Sequence, residues 1–113
     1  MLRGEIWTLQ DEGYASKARP VVIIQGELGN RFESVILCLF TTYDSYDVDN
    51  RVAIAPTKEN GLLKPSFVMT EKIITVSKNE LGDLIGMLTG EQMHEISRQL
   101  ARLLVIKKED IEP

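Results

Sequence analysis

A chain of 113 residues is long enough for one hydrophobic core and too short for two, so residues 1–113 are expected to form a single domain. A net charge of −4, from 17 carboxylates against 13 Lys and Arg, argues against a protein that grips nucleic acid through a broad basic surface, though it leaves room for a local cationic site. No apolar run approaches the roughly 20 residues that a membrane-spanning helix needs. The opening MLRGEIWTLQ lacks the form of a signal peptide, and a single cysteine allows no internal disulfide, so a reducing cytoplasm is the expected setting.

Residues 3–9, RGEIWTL, read as a strand carrying Ile6 and Trp7, and QDEGYASK after it reads as a loop. The second strand, RPVVIIQGE, is an apolar run entered through Arg19 and Pro20. Proline fixes its own φ and biases the preceding arginine toward an extended conformation. GELGNRFES supplies Gly26, Gly29 and Asn30 as turn formers, so a hairpin connection should lead to SVILCLFT at residues 34–41. That longest apolar run is expected at the centre of a sheet, buried on both faces. Residues 42–50, TYDSYDVDN, are polar, aromatic and acidic without helical or strand period, which predicts a mobile loop.

RVAIAP is a short strand stopped by Pro56, and Asn60-Gly61 is the strongest short turn signal in the chain. SFVMT and IITV are expected as two further short strands separated by Glu71 and Lys72. LGDLIGML, residues 81–88, leads into the one convincing helix. Thr89 lies three residues before Gln92, the spacing of a capping box. Met93, Ile96, Leu100, Leu103 and Leu104 recur at helical spacing, with Glu91, Glu95, Arg98 and Arg102 on the other side. This apolar stripe should lie against the open side of a small curved sheet. The pattern as a whole predicts a mainly β fold with a C-terminal helix, such as an SH3-like barrel.

The common catalytic motifs are absent: no GxGxxG, no P-loop lysine and no paired Cys/His spacing for zinc. One histidine and one cysteine make no structural metal site, and neither metal nor cofactor is expected. Cys38, inside VILCLF, reads as a small buried hydrophobe with an inert thiol, and His94 as a helix-flank residue. Trp7 belongs to the core unless it serves as a base-stacking surface. Tyr14, Tyr43 and Tyr46 are the other stacking candidates, and the YDSY pair is the better placed because its surroundings are polar. Arg19 opens one apolar strand and Thr41 closes the next. In an antiparallel hairpin the start of one strand lies beside the end of the other. A guanidinium and a hydroxyl at one rim would make a phosphate seat, since arginine binds phosphate oxygens bidentately and a hydroxyl adds a rotatable donor.

RGEIW, GYASKARPVVIIQ, the TT after the third strand, NGLLKPSFVMTEKIITV and the late IGML occur in this order. Together they resemble the MazF/PemK toxins of bacterial toxin–antitoxin systems, over nearly the whole chain. The resemblance implies an SH3-like barrel of the CcdB/PemK type, a homodimer and a cognate MazE-like antitoxin that blocks the groove. It implies a metal-independent endoribonuclease that cuts single-stranded RNA, usually mRNA, at short sequences. The family's catalytic arginine, the one before proline, falls on Arg19, and its catalytic threonine on Thr41. Two departures stand out. Many members carry GSEQxGxRP, with a glutamate sometimes given a catalytic part, whereas GYASKARP puts Ser16 or Lys17 in that region. In the PemK/Kid branch an arginine and an aspartate are used in the stretch matching FVMTEK, where this chain has Met69 and Glu71. Glu71, Ser16, Lys17 and Thr42 are therefore supporting candidates.

The chemistry expected of such a site is attack of the RNA's own 2′-hydroxyl on the adjacent phosphorus. Two rival readings are a gyrase-directed toxin of the CcdB kind without nuclease activity, and a non-catalytic nucleic-acid-binding SH3-like module. The first does not need Arg19 and Thr41 at one rim, and the second usually carries a basic surface that a net charge of −4 does not provide. Sequence preference is expected to reside in the loops of residues 13–18 and 42–50.

Overall fold

Among the described residues the apolar runs become six strands of one antiparallel sheet: β1 (Glu5–Leu9), β2 (Arg19–Ile23), β3 (Ser34–Thr41), β4 (Arg51–Ile54), β5 (Ser66–Ser77) and β6 (Leu81–Met87), in the spatial order β4-β5-β3-β2-β1-β6. Helices α1 (Gly90–Leu104) and α2 (Lys108–Ile111) follow. This computed structural model describes residues 1–10 and 18–113, so the candidates Tyr14, Ser16 and Lys17 lie outside the described residues.

Alternation along the strands sends side chains to two apolar clusters. One holds Ile6, Val22, Cys38, Val52 and Val68 and is closed by Met93 and Ile96 of α1. The other, on the opposite side of the same strands, holds Val21, Ile23, Val35 and Leu37, with Trp7, Leu9, Leu39 and Ile74 packed against it. Trp7 thus joins the core, and its indole N–H donates to Glu5 Oε1 at 3.2 Å. β3 sits between β2 and β5 as expected, but burial on both faces is incomplete, since Ile36 is 40% exposed.

One expectation needs correction, and two gain detail. SFVMT and IITV are one continuous strand, β5, rather than two. Its register against β3 shifts midway: Leu39 faces Met69, whereas Cys38 faces Ile73. Residues 70–72 therefore bulge opposite a single step of β3, which lets the polar Glu71 and Lys72 occupy mid-strand without entering a core. The turn residues after β2 form a short 3₁₀ helix, Glu27–Arg31, within the β2–β3 connection. LGDLIGML, read only as the approach to the helix, is the edge strand β6 paired with β1.

Helix α1 starts as its spacing predicts. The Thr89 hydroxyl accepts from Gln92 N–H at 3.1 Å, and Gln92 Oε1 accepts from Thr89 N–H at 2.9 Å. Its apolar stripe is buried only in the first half. Leu103 and Leu104 are 43% and 54% exposed because the last turn outruns the sheet, while Gln99 is buried. The helix ends at Val105, whose φ of 56° is left-handed.

The outer edge of β6 is met by the Asn60-Gly61 turn. Met87 N–H donates to the Glu59 carbonyl at 2.9 Å. Two glycines allow this approach: a Cβ at Gly86 would collide with the Asn60 carbonyl, and one at Gly61 (φ +69°) with the Ile85 carbonyl. Among the described residues no helix is long and apolar enough to cross a membrane.

Candidate active site

The hairpin of β2 and β3 pairs Val21 with Leu39, Val22 with Cys38 and Ile23 with Leu37. Carried two residues outward, that register sets Arg19 opposite Thr41. Alternation puts both on the face of Val21, Ile23, Leu37 and Leu39, and Arg19 is exposed at the rim. The rows continue across the sheet. Leu9 faces Arg19 on one side, and Thr41 faces Phe67, which in turn faces Ala53. One row deeper come Trp7, Val21, Leu39, Met69 and Arg51. Arg51 therefore stands on the same face as Arg19 and Thr41, two strands beyond Thr41.

The loop of residues 42–50, expected to be mobile, is tied down along its length. Ser45 is 2% exposed. Asp49 pairs with Arg102 of α1 at 2.6 Å, and the Thr70 hydroxyl donates to the Asn50 carbonyl at 2.7 Å. Tyr43 and Tyr46 are 82% and 78% exposed, and Thr42 is exposed as well. The ring of Tyr46 meets Phe67 edge-on, with centroids 5.0 Å apart. The stacking candidates of this loop thus stand beside Thr41 on anchored backbone.

Glu71 does not reach out toward the rim. Its carboxylate accepts from Arg51 Nη2 at 2.6 Å and Nε at 3.1 Å, and from Asn50 Nδ2 at 2.9 Å. The Arg51 hydrogen bonds hold the Glu71 carboxyl below its ordinary value against the opposing effect of partial burial, and Asn50 adds to them. A carboxylate so engaged is a weak proton acceptor. Cys38 is fully buried, and burial, with the Glu71 charge as a smaller cause, pushes its thiol up to about 12. His94 is exposed on α1. Among the described residues no three His, Cys, Asp or Glu side chains cluster as a metal site would require.

Arg51, Asn50 and Ser45 were not among the residues singled out from the sequence. A signal for Arg51 was present: RVAI, like RPVVI, is an apolar strand entered through an arginine. Ser45 and Asn50 carry no such mark, because their roles depend on how the loop folds back.

The sequence and the fold have counterparts in known proteins. Residues 2–104 match the family model described as PemK-like, MazF-like toxin of type II toxin-antitoxin system. A protein of Mycolicibacterium smegmatis named probable endoribonuclease MazF is 36% identical over 107 residues, covering 94% of this chain and 98% of its own. A solved mycobacterial endoribonuclease in complex with its cognate antitoxin superposes with a TM-score of 0.79 at 30% identity, over 95% of this chain and 97% of that one. A MazE–MazF structure from Deinococcus radiodurans gives the same TM-score, 0.79, at 13% identity over 95% of this chain and 97% of that one, a likeness of fold. With its family model spanning all six strands and α1, and with the fold shared, this chain belongs to the PemK-like, MazF-like toxins of type II toxin–antitoxin systems.

Proposed function

We propose that the protein is the toxin of such a system and cleaves single-stranded RNA, mRNA in the cell, at a seat formed by Arg19 and Thr41. The observation that carries this reading is the β2–β3 register, which sets an exposed guanidinium opposite a hydroxyl at one rim of the sheet. Relatives named as endoribonucleases favour it over a gyrase-directed toxin or a passive binding module.

In the reaction, the 2′-oxygen of the substrate bonds to the adjacent phosphorus as the bond from phosphorus to the 5′-oxygen breaks. The products are a 2′,3′-cyclic phosphate and a 5′-hydroxyl. The proton of the 2′-hydroxyl is released, and the leaving 5′-oxygen gains one. Charge accumulates on the non-bridging oxygens in the transition state, and a fixed guanidinium at Arg19 stabilises it there. Thr41 holds the phosphate in register.

The similar mycobacterial endoribonuclease forms a complex with its cognate antitoxin, and this chain's own partner is by analogy a protein of the MazE kind that covers the RNA-binding face. A homodimer and a cytoplasmic location, where mRNA is met and a lone thiol stays reduced, complete the proposal. The test is incubation of purified protein with mixed-sequence RNA in EDTA, with chemical mapping of the ends. Discrete fragments bearing cyclic phosphate and 5′-hydroxyl ends are expected. Cutting that needs added Mg²⁺ or Mn²⁺, or no cutting by folded protein freed of antitoxin, would overturn the reading.

A further inference from the structure

A chain of hydrogen bonds runs from β5 to the rim hydroxyl. Arg51 Nη2 donates to Glu71 Oε2 at 2.6 Å, and Arg51 Nη1 donates to Ser45 Oγ at 2.9 Å. The Ser45 hydroxyl donates to the Tyr43 carbonyl at 3.0 Å, and Tyr43 N–H donates to Thr41 Oγ1 at 3.2 Å. Every link has a donor facing an acceptor. The first member is a charged carboxylate in the sheet, and the last is the hydroxyl of the phosphate seat.

We propose that Glu71 is a positioning residue which, through Arg51, Ser45 and Tyr43, fixes the loop of residues 42–50 and the Thr41 hydroxyl, and so sets the sequence preference of cleavage. This role rests on the ribonuclease reading of the Arg19–Thr41 site.

Three features support it. By accepting from Tyr43 N–H, Thr41 Oγ1 leaves its own hydrogen to point elsewhere, as a donor to a phosphate oxygen must. The same loop holds two exposed aromatic side chains at fixed offsets from that hydroxyl: Tyr43, whose amide and carbonyl are both engaged, and Tyr46, whose N–H donates to Asp44 Oδ1 at 3.2 Å and whose ring rests on Phe67. Base–aromatic stacking is strong enough to rank RNA sequences only if the rings are held in place. The far end of the loop returns to the same carboxylate, since Asn50 Nδ2 donates to Glu71 Oε1 at 2.9 Å. Glu71 thus grips both ends of a segment that carries the recognition surface. Its engagement by Arg51 also makes it unsuited to accept the 2′-hydroxyl proton.

The experiment compares the wild type with Glu71→Ala, Glu71→Gln and Ser45→Ala. Cut sites are mapped on a randomised RNA pool, and kcat and KM are measured on one preferred RNA. Glu71→Ala should broaden the cut-site profile and raise KM about tenfold while kcat falls less, because the loop loses its anchor and the reacting groups remain. Glu71→Gln keeps an oxygen that accepts from Arg51 and Asn50, so it should hold the wild-type profile with activity reduced less than tenfold. Ser45→Ala breaks the chain beyond Arg51 and should broaden the profile as Glu71→Ala does. It carries the same comparison should Glu71→Ala fail to fold. Proton transfer by Glu71 would instead lower kcat about 10²-fold or more in both Glu71 variants with the profile unchanged, and that result overturns the proposal. Glu71→Ala and Ser45→Ala with the profile and KM of an active wild type overturn it too. A folded wild type that cuts no RNA overturns the ribonuclease reading itself, and this role with it.

Discussion

Arg51 on β4 stands directly across the ladder from Met69 on β5. The sequence departs from the PemK/Kid branch of the family it resembles by carrying Met69 in place of an arginine, and the guanidinium of this part of the face comes from the neighbouring strand instead. There it is bound to Glu71 at 2.6 Å, so its charge is largely compensated in place.

Arg19→Lys keeps the charge but loses the planar fork, and should slow single-turnover cleavage about 10²-fold while RNA binding falls less. Thr41→Ala removes the rim hydroxyl and should cost about tenfold or more. Both should fold, since Arg19 is exposed and Thr41 lies at the end of its strand. His94→Ala, on an exposed helix position, should stay within about twofold of wild type. An inactive His94→Ala beside a near-normal Arg19→Lys would move the site elsewhere.

Acid should loosen the loop anchor. The Glu71 carboxyl titrates below its ordinary value of 4.5 in the folded chain, so its pairing stabilises fully above that pH and is lost as pH falls through the lower folded value. Wild type should exceed Glu71→Gln by about 1 kcal/mol near neutrality, the scale of a partly exposed pair. The gap should close in denaturant titrations carried out progressively below pH 4.5. A gap that widens in acid would contradict the pairing.

Cys38 should behave as a reporter of unfolding. With its thiol pushed up to about 12 by burial, native protein should react with thiol reagents only through opening of the fold, and urea should release rapid labelling. The unfolded thiol ionises near 9.0 and the folded one near 12, so stability should decline as pH rises above 9.0. Fast stoichiometric labelling of native protein at neutral pH would count against this burial.

Val105 is a β-branched residue in a left-handed conformation (φ 56°, ψ 46°), and it is 66% exposed. Such a conformation costs an L-residue roughly 1–2 kcal/mol, which glycine avoids. Val105→Gly should raise stability by about 1 kcal/mol, seen as a rise of a few degrees in Tm. An unchanged or lowered Tm would mean that the exposed valine contributes packing that outweighs its backbone strain.

The elements legible in the sequence were those marked by local chemistry. Thr89 and Gln92 announce the helix start, and the apolar runs of β2 and β3 announce a hairpin whose ends carry Arg19 and Thr41. Misreadings arose where tertiary pairing overrides local pattern. Glu71 and Lys72 look like a strand break, yet β5 runs through them because the bulge opposite β3 turns Glu71 toward Arg51 and Asn50. Leu103 and Leu104 continue the helical stripe, but periodicity carries no information about where the sheet beneath it stops. The Ser45–Arg51–Glu71 network joins loop to sheet across positions without a common motif, so it becomes visible only in three dimensions.

The close fit of the Asn60-Gly61 turn against β6 bears on how the protein behaves in a crowded solution. An open strand edge is a template on which another molecule can add its own strand. Here the chain lays its own turn over part of that edge, with Met87 N–H already given to Glu59, and it can do so only because Gly61 and Gly86 present no side chain. A residue with a Cβ at position 86 would push the cover away and expose the edge to other chains. The two glycines thus help keep this part of the edge covered, and a side chain at either should make the protein more prone to aggregate.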